Sequence, residues 1–121
     1  MARILIMDDE EIVRRSIRVM LEREGHMVFE AIDGNEGMEL FKDIKPDLLI
    51  IDIFMPEKDG LEIIRDVRKE DKNARILAIT GGGSTGDLDF LPQAQAFGAQ
   101  EILRKPFLQE ELMDALNRIL S

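Results

Sequence analysis

The stretch LLIIDI, residues 48–53, constrains this chain more than any other. A nearly continuous run of Leu and Ile has no polar face, so it needs cover on both sides, as a strand in the middle of a parallel sheet has. Asp52, at the end of the run, carries a charge into that apolar setting, which is costly unless something pairs with it. The rest of the chain supplies the elements that would cover such a strand. Arg3–Met7 is an apolar run of strand length, and residues 10–24 follow with Ile12, Val13, Ile17, Met20 and Leu21 at helical spacing before Gly25 ends the helix. Residues 26–32 read as a second strand, Asp33-Gly34 as a turn, and 35–44 as a helix with Met38, Leu40 and Phe41 on or near one face, stopped by Lys45-Pro46. Beyond the third strand come a helix over Gly60–Glu70 and a strand over 75–79 that runs into Thr80. A GGGSTG loop, a weaker helix over 87–97 interrupted by Pro92, a strand over 101–104 and a helix over Gln109–Leu120 complete the chain.

Strand and helix thus alternate five times. With short, right-handed connections this predicts one α/β domain, a doubly wound five-stranded parallel sheet between layers made of five helices. A length of 121 residues suits one such domain, and neither a linker nor an internal repeat interrupts it.

Composition removes several functions. The chain has no cysteine, hence no disulfide framework, thiolate metal site or thiol nucleophile. A formal net charge of −9, without a Lys/Arg block interleaved with aromatics, speaks against direct nucleic-acid binding by this segment. Charged residues interrupt every apolar stretch well before the roughly 18 residues a membrane span needs. The amino terminus, MARILIMDDEE, lacks a small-residue cleavage site and reads as a first strand, not a signal peptide. A cytoplasmic protein with no membrane contact is expected.

Ligands of open parallel sheets bind outside the carboxyl ends of the strands, so the residues at those ends matter most. The first strand ends in Asp8-Asp9, the third in Asp52, the fourth in Thr80 and the fifth in Arg104-Lys105-Pro106. Three carboxylates in one crevice repel each other unless one is protonated or a divalent cation binds. An oxygen-only donor set favours Mg²⁺ or a similarly hard ion. Asp52 offers a nucleophilic oxygen able to form an acyl phosphate. Mg²⁺ and Lys105 would neutralise phosphoryl oxygens, and Thr80 would donate a hydrogen bond to the product. Plainer readings exist for each residue alone. Asp8, Asp9 and Glu10 could be an acidic cap on the first helix, and Thr80 could simply end a strand. Their joint placement with Asp52 and Lys105 favours a site. His26 reads as a partly exposed strand residue, and the seven methionines as core filler. GGGSTG lacks the Lys that a phosphate-binding loop of the G-x-x-x-x-G-K-[ST] kind requires.

Together, ILIMDDE, DLLIIDIFMPEKDG, ILAITG and ILRKPF, in this order and at these distances, resemble the receiver domain of bacterial two-component response regulators, chemotaxis-regulator-like, over essentially the whole chain. The resemblance implies a flavodoxin-like strand order 2-1-3-4-5 and a single receiver domain over 1–121, with no output domain in this chain. It implies that Asp52 is the phosphoacceptor, that Asp9 ligates Mg²⁺ directly and Asp8 directly or through water, and that Phe54 adds a backbone carbonyl. Thr80 would be the switch hydroxyl, and Lys105 the phosphate-binding cation, turned into the site by a cis bond to Pro106. Gly81 matches a position kept small so that phosphodonors can enter. A sensor histidine kinase or phosphotransfer protein would be the donor. A downstream target protein, or an effector domain outside this chain, would respond to the altered surface.

Two departures from the family pattern carry information. Ile102 stands where an aromatic is usual, which argues against an aromatic-rotation switch and for signalling through displacement of the loop after Thr80 and the helix that follows. Phe54 and Gly82 cannot orient a water molecule, so a long-lived phospho-form is expected. A haloacid-dehalogenase-like Mg²⁺-dependent phosphatase is the alternative, and it needs a second Asp two positions after the nucleophile. Phe54 occupies that position, which favours a switch over an enzyme.

Overall fold

The computed structural model describes residues 1–53, 60–81 and 98–121. Five parallel strands, β1 (Arg3–Met7), β2 (Met27–Ala31), β3 (Leu48–Asp52), β4 (Ile76–Gly81) and β5 (Glu101–Lys105), form one sheet in the order β2-β1-β3-β4-β5. This is the expected flavodoxin-like α/β order. Four helices lie among the described residues: α1 (Glu11–Arg23), α2 (Gly34–Ile44), α3 (Gly60–Glu70) and α4 (Gln109–Leu120). The fifth expected helix, over 87–97, falls outside them, as do most of the GGGSTG loop and Phe54.

The central run behaves as its composition dictates. Every residue of β3 is buried, because its two faces serve two cores. Leu49 and Ile51 join Leu5, Met7 and Ala78 of the sheet under Phe41 of α2 and Leu61, Ile64 and Val67 of α3. Leu48 and Ile50 join Ile4, Ile6, Leu77 and Ile79 under Ile17 and Leu21 of α1 and Leu112, Ala115, Leu116 and Ile119 of α4. Alternation along β1, β3 and β4 therefore sends successive apolar side chains to one helix layer and then the other.

Local chemistry fixes where elements begin and end. Asp33 caps α2, its side chain accepting from the Glu36 amide at 2.9 Å. Lys45, in the left-handed region at φ 52°, closes the same helix. Two glycines permit close approach. A Cβ at Gly37 would strike the Met7 side chain, and one at Gly60 would fall against the Asp52 carbonyl oxygen and the Ile53 Cα. The first turn of α3 can therefore sit directly on the end of β3, anchored by the Gly60 amide donating to the Ile53 carbonyl at 2.8 Å.

In α1 the buried positions are Arg14, Ile17 and Leu21. Ile12, grouped by the sequence with the apolar positions of this helix, is instead 82 % exposed. It stands two positions ahead of Arg14, so it points away from the stripe that faces the sheet. His26 precedes β2 rather than lying within it and is half-buried, its Nδ1 accepting from the Ala2 amide at 3.0 Å. Among the described residues, no helix is long and apolar enough to cross a membrane.

Candidate functional site

Parallel register brings the strand ends to one level. Met7 pairs with Ile51, Asp52 with Ile79, Thr80 with Arg104 and Gly81 with Lys105. Asp8, Asp52, Thr80 and Lys105 consequently share the carboxyl rim of β1, β3, β4 and β5. Asp8 is completely buried, Asp52 2 % exposed and Thr80 1 % exposed. Such burial of two carboxylates is tolerable only with a cationic partner.

Lys105 is that partner. Its Nζ lies 2.9 Å from Asp8 Oδ2, 3.2 Å from Asp52 Oδ2 and 3.2 Å from Glu10 Oε1. The contacts to Asp52 and Glu10 are hydrogen bonds, whereas that to Asp8 is an ion pair without hydrogen-bond alignment. Partial burial works to lower the Lys105 pKa, but contact with Asp8, the charges of Asp52 and Asp8, and the bond to Glu10 outweigh it and raise the value above that of an ordinary lysine. The ammonium is therefore fully charged. The bond from Lys105 to Pro106 is cis, as expected from the family pattern.

The cluster differs in one member from the sequence expectation. Single oxygens of Asp8, Glu10 and Asp52 lie within 4.8 Å of one another and form a donor set for a cation. Asp9 is exposed and outside this group. The placement of Phe54 lies outside the described residues. Glu10 was legible in the sequence only as a possible helix cap. Its return toward the rim is tied locally by its amide, which donates to Asp8 Oδ1 at 2.8 Å. An all-oxygen set of three carboxylates suits a hard divalent ion such as Mg²⁺.

Thr80 Oγ1 is buried and has no hydrogen-bond partner among the described residues. A hydroxyl left this way is unfavourable unless an acceptor arrives. Gly81 follows at the end of β4, opposite Lys105. Ile102 is half-buried on β5 and packs against the core beneath α2 and α3.

The response regulator receiver domain family matches residues 4–117. The chain belongs to this family. The receiver domain is 35 % identical over 118 residues to the chemotaxis protein CheY of Halobacterium salinarum, covering 98 % of this chain and 96 % of that one. It is 30 % identical to sporulation initiation phosphotransferase F of Bacillus subtilis, covering 98 % and 93 % of the two chains. In fold, this receiver superposes on Vibrio cholerae CheY4 with a TM-score of 0.90 at 32 % identity, covering 99 % of each chain. It also superposes on NtrX of Brucella abortus, in a complex with ADP, with a TM-score of 0.92 at 28 % identity, but there it spans only 27 % of the longer chain. Receiver domains of this kind are signalling switches of two-component systems that bind Mg²⁺ at an acidic pocket and interact with histidine kinases or phosphotransfer proteins.

Proposed function

We propose that this receiver accepts a phosphoryl group on Asp52 from a phosphohistidine, and that the acyl phosphate alters the surface that binds a downstream target. The observation that carries the reading is the convergence of the Lys105 ammonium on Asp52 and Asp8 beside a buried Thr80 hydroxyl that has no partner among the described residues. In the transfer a carboxylate oxygen of Asp52 forms a bond to phosphorus as the phosphorus–nitrogen bond of the donor breaks, and the imidazole leaves with the electron pair. Lys105 then shifts its contact from the Asp52 carboxylate to a phosphoryl oxygen. The Thr80 hydroxyl donates to another phosphoryl oxygen and so acquires an acceptor that the described residues do not offer it.

Asp8, Asp9, Asp52 and the Phe54 carbonyl are the proposed Mg²⁺ ligands, with Glu10 added by its place in the carboxylate cluster. Bound Mg²⁺ supplies charge neutralisation for the phosphoryl oxygens. Gly81 leaves the approach to Asp52 open. With Ile102 at its position, the switch works without aromatic rotation, through the segment after Thr80. The partner is a sensor histidine kinase or phosphotransfer protein, and the response passes to a target protein or to an effector domain.

Incubation with acetyl phosphate and Mg²⁺, followed by intact-mass measurement, tests the reading. One phosphoryl mass appears in the native protein and is absent from Asp52→Asn. Equal labelling of the variant refutes the assignment. A steady-state assay separates the switch from a haloacid-dehalogenase-like phosphatase, because the switch releases no more phosphate than its own acyl phosphate hydrolysis allows.

A further inference from the structure

Among the described residues, the buried polar side chain that the phosphotransfer reading leaves unused is Arg14. An arginine is rarely buried without pairing, and Arg14 is only 8 % exposed, in register with Ile17 and Leu21 on the inner face of α1. Its Nη1 donates to the backbone carbonyl of Asp8 at 2.8 Å. Its Nε donates to Glu30 Oε1 of β2 at 3.1 Å. The other Glu30 oxygen accepts from Arg18 Nη1 at 2.7 Å, and Arg18 also holds Glu22 one turn further along the helix. Two arginines and a strand carboxylate thus form a brace that ends on the backbone of a site residue.

Asp8 needs that brace. It lies one residue beyond the end of β1, where the ladder no longer supplies a partner for its carbonyl. Its amide is held by the Ala31 carbonyl at 3.2 Å and its Oδ1 by the Glu10 amide at 2.8 Å. Arg14 fixes the remaining backbone group. With all three anchored, Asp8 Oδ2 points at Lys105 and the cation cluster, and it has little freedom to turn away. Glu30 in turn fixes the plane of the guanidinium, as a fork-shaped donor set with two acceptors requires.

We infer that Arg14, locked by Glu30, is a positioning residue that presets Asp8 for divalent-cation binding without touching ion or phosphoryl group. The inference rests on the Mg²⁺-dependent phosphoacceptor reading of Asp52. Outer partners of metal ligands typically govern about 10- to 100-fold of metal affinity. Because the brace acts on the ligand and not on the reacting atoms, its loss shifts the concentration of ion required more than the rate at saturation.

The test compares the native protein with Arg14→Met, Arg14→Lys, Glu30→Gln and Ile119→Ala, the last a core truncation on α4 that lowers stability away from the rim. Mg²⁺ affinity is measured by calorimetry on the unphosphorylated proteins. Acetyl phosphate labelling is followed across a Mg²⁺ series, and exchange of the Glu10 amide is measured without any ion. Arg14→Met should weaken Mg²⁺ binding about tenfold and raise the half-saturating Mg²⁺ by a similar factor. Its labelling rate at saturating Mg²⁺ should stay within about twofold of native, and its Glu10 amide should exchange faster. Arg14→Lys and Glu30→Gln should fall between, and Ile119→Ala should match native affinity whatever its melting temperature. Unchanged Mg²⁺ affinity in Arg14→Met, or an equal loss in Ile119→Ala, overturns the positioning role while the native protein still labels. A native protein that neither binds Mg²⁺ nor labels overturns the phosphoacceptor reading and this role with it.

Discussion

Replacing Thr80 by valine should stabilise the resting protein while crippling its response to phosphorylation. Thr80 is 1 % exposed, and its buried hydroxyl finds no partner among the described residues. A buried, unsatisfied polar group costs about 1–3 kcal/mol. Valine keeps the branched shape that suits β4 and substitutes a methyl for the hydroxyl, and burying that carbon adds on the order of 0.8 kcal/mol. A net gain of at least about 1 kcal/mol follows, equivalent to a rise in melting temperature of roughly 3–6 °C for a domain of this size. Urea unfolding reads the gain directly as a higher midpoint at unchanged slope. Thr80→Ser, which keeps the hydroxyl and loses the methyl, should move in the opposite direction by about 1 kcal/mol. Addition of Mg²⁺ with beryllium fluoride, a phosphoryl mimic, should then stabilise the native protein more than the valine variant, because only the native side chain gains a new hydrogen bond. A valine variant no more stable than native would refute the argument, since the hydroxyl must then be satisfied at rest and is not held in reserve for the phosphoryl group.

Other consequences are as direct. Lys105→Met leaves the Asp8 and Asp52 carboxylates without their ammonium and should cost about 3 kcal/mol in the absence of divalent ions; Mg²⁺ should restore much of this, giving a larger ion-induced rise in melting temperature than in the native protein. Gly60→Ala places a methyl against the Asp52 carbonyl and Ile53 Cα, so α3 must move off the end of β3, at about 1–3 kcal/mol of unfolding free energy and with slower labelling of Asp52. His26 is held below its ordinary pKa by burial and then by the amino-terminal ammonium, against the opposing charge of Glu24. The unfolded chain therefore binds the extra proton first as pH falls, so stability contributed by neutral His26 is complete above about pH 6.5 and declines through the window below it. Urea midpoints at pH 7.5, 6.5 and 5.5 should decline less in His26→Gln than in the native protein, and parallel declines would refute the assignment.

How much of this was legible beforehand varies with the range of the interactions concerned. The apolar run of β3, the helices Gly60–Glu70 and Gln109–Leu120, and the four strand ends that form the rim follow from periodicity and composition, which are local signals. Each of these also agrees with the global fold. Glu10 and Arg14 were not legible in the same way. Glu10 joins the rim because the Lys105 ammonium, 95 residues away in sequence, lies 3.2 Å from it. Arg14 is buried because Glu30 and the Asp8 carbonyl meet it from neighbouring strands. A signal for Arg14 did exist, since it falls three and seven residues before Ile17 and Leu21, on the stripe that faces the sheet. Ile12, read with the apolar set, lies off that stripe. For Asp9, sequence pattern and geometry point in different directions: the Lys105 ammonium contacts Asp8, Glu10 and Asp52, whereas Asp9 is exposed.

The ammonium on β5 has a consequence for any divalent ion that approaches the rim. A tethered positive charge already sits among the carboxylates, so the ion does not fall into a bare anionic well. It would share the carboxylates with a resident cation that cannot diffuse away. Such an arrangement holds the carboxylates of the rim together by itself and would lessen their net attraction for a divalent ion. The lysine would also lie within reach of a phosphoryl group placed on Asp52.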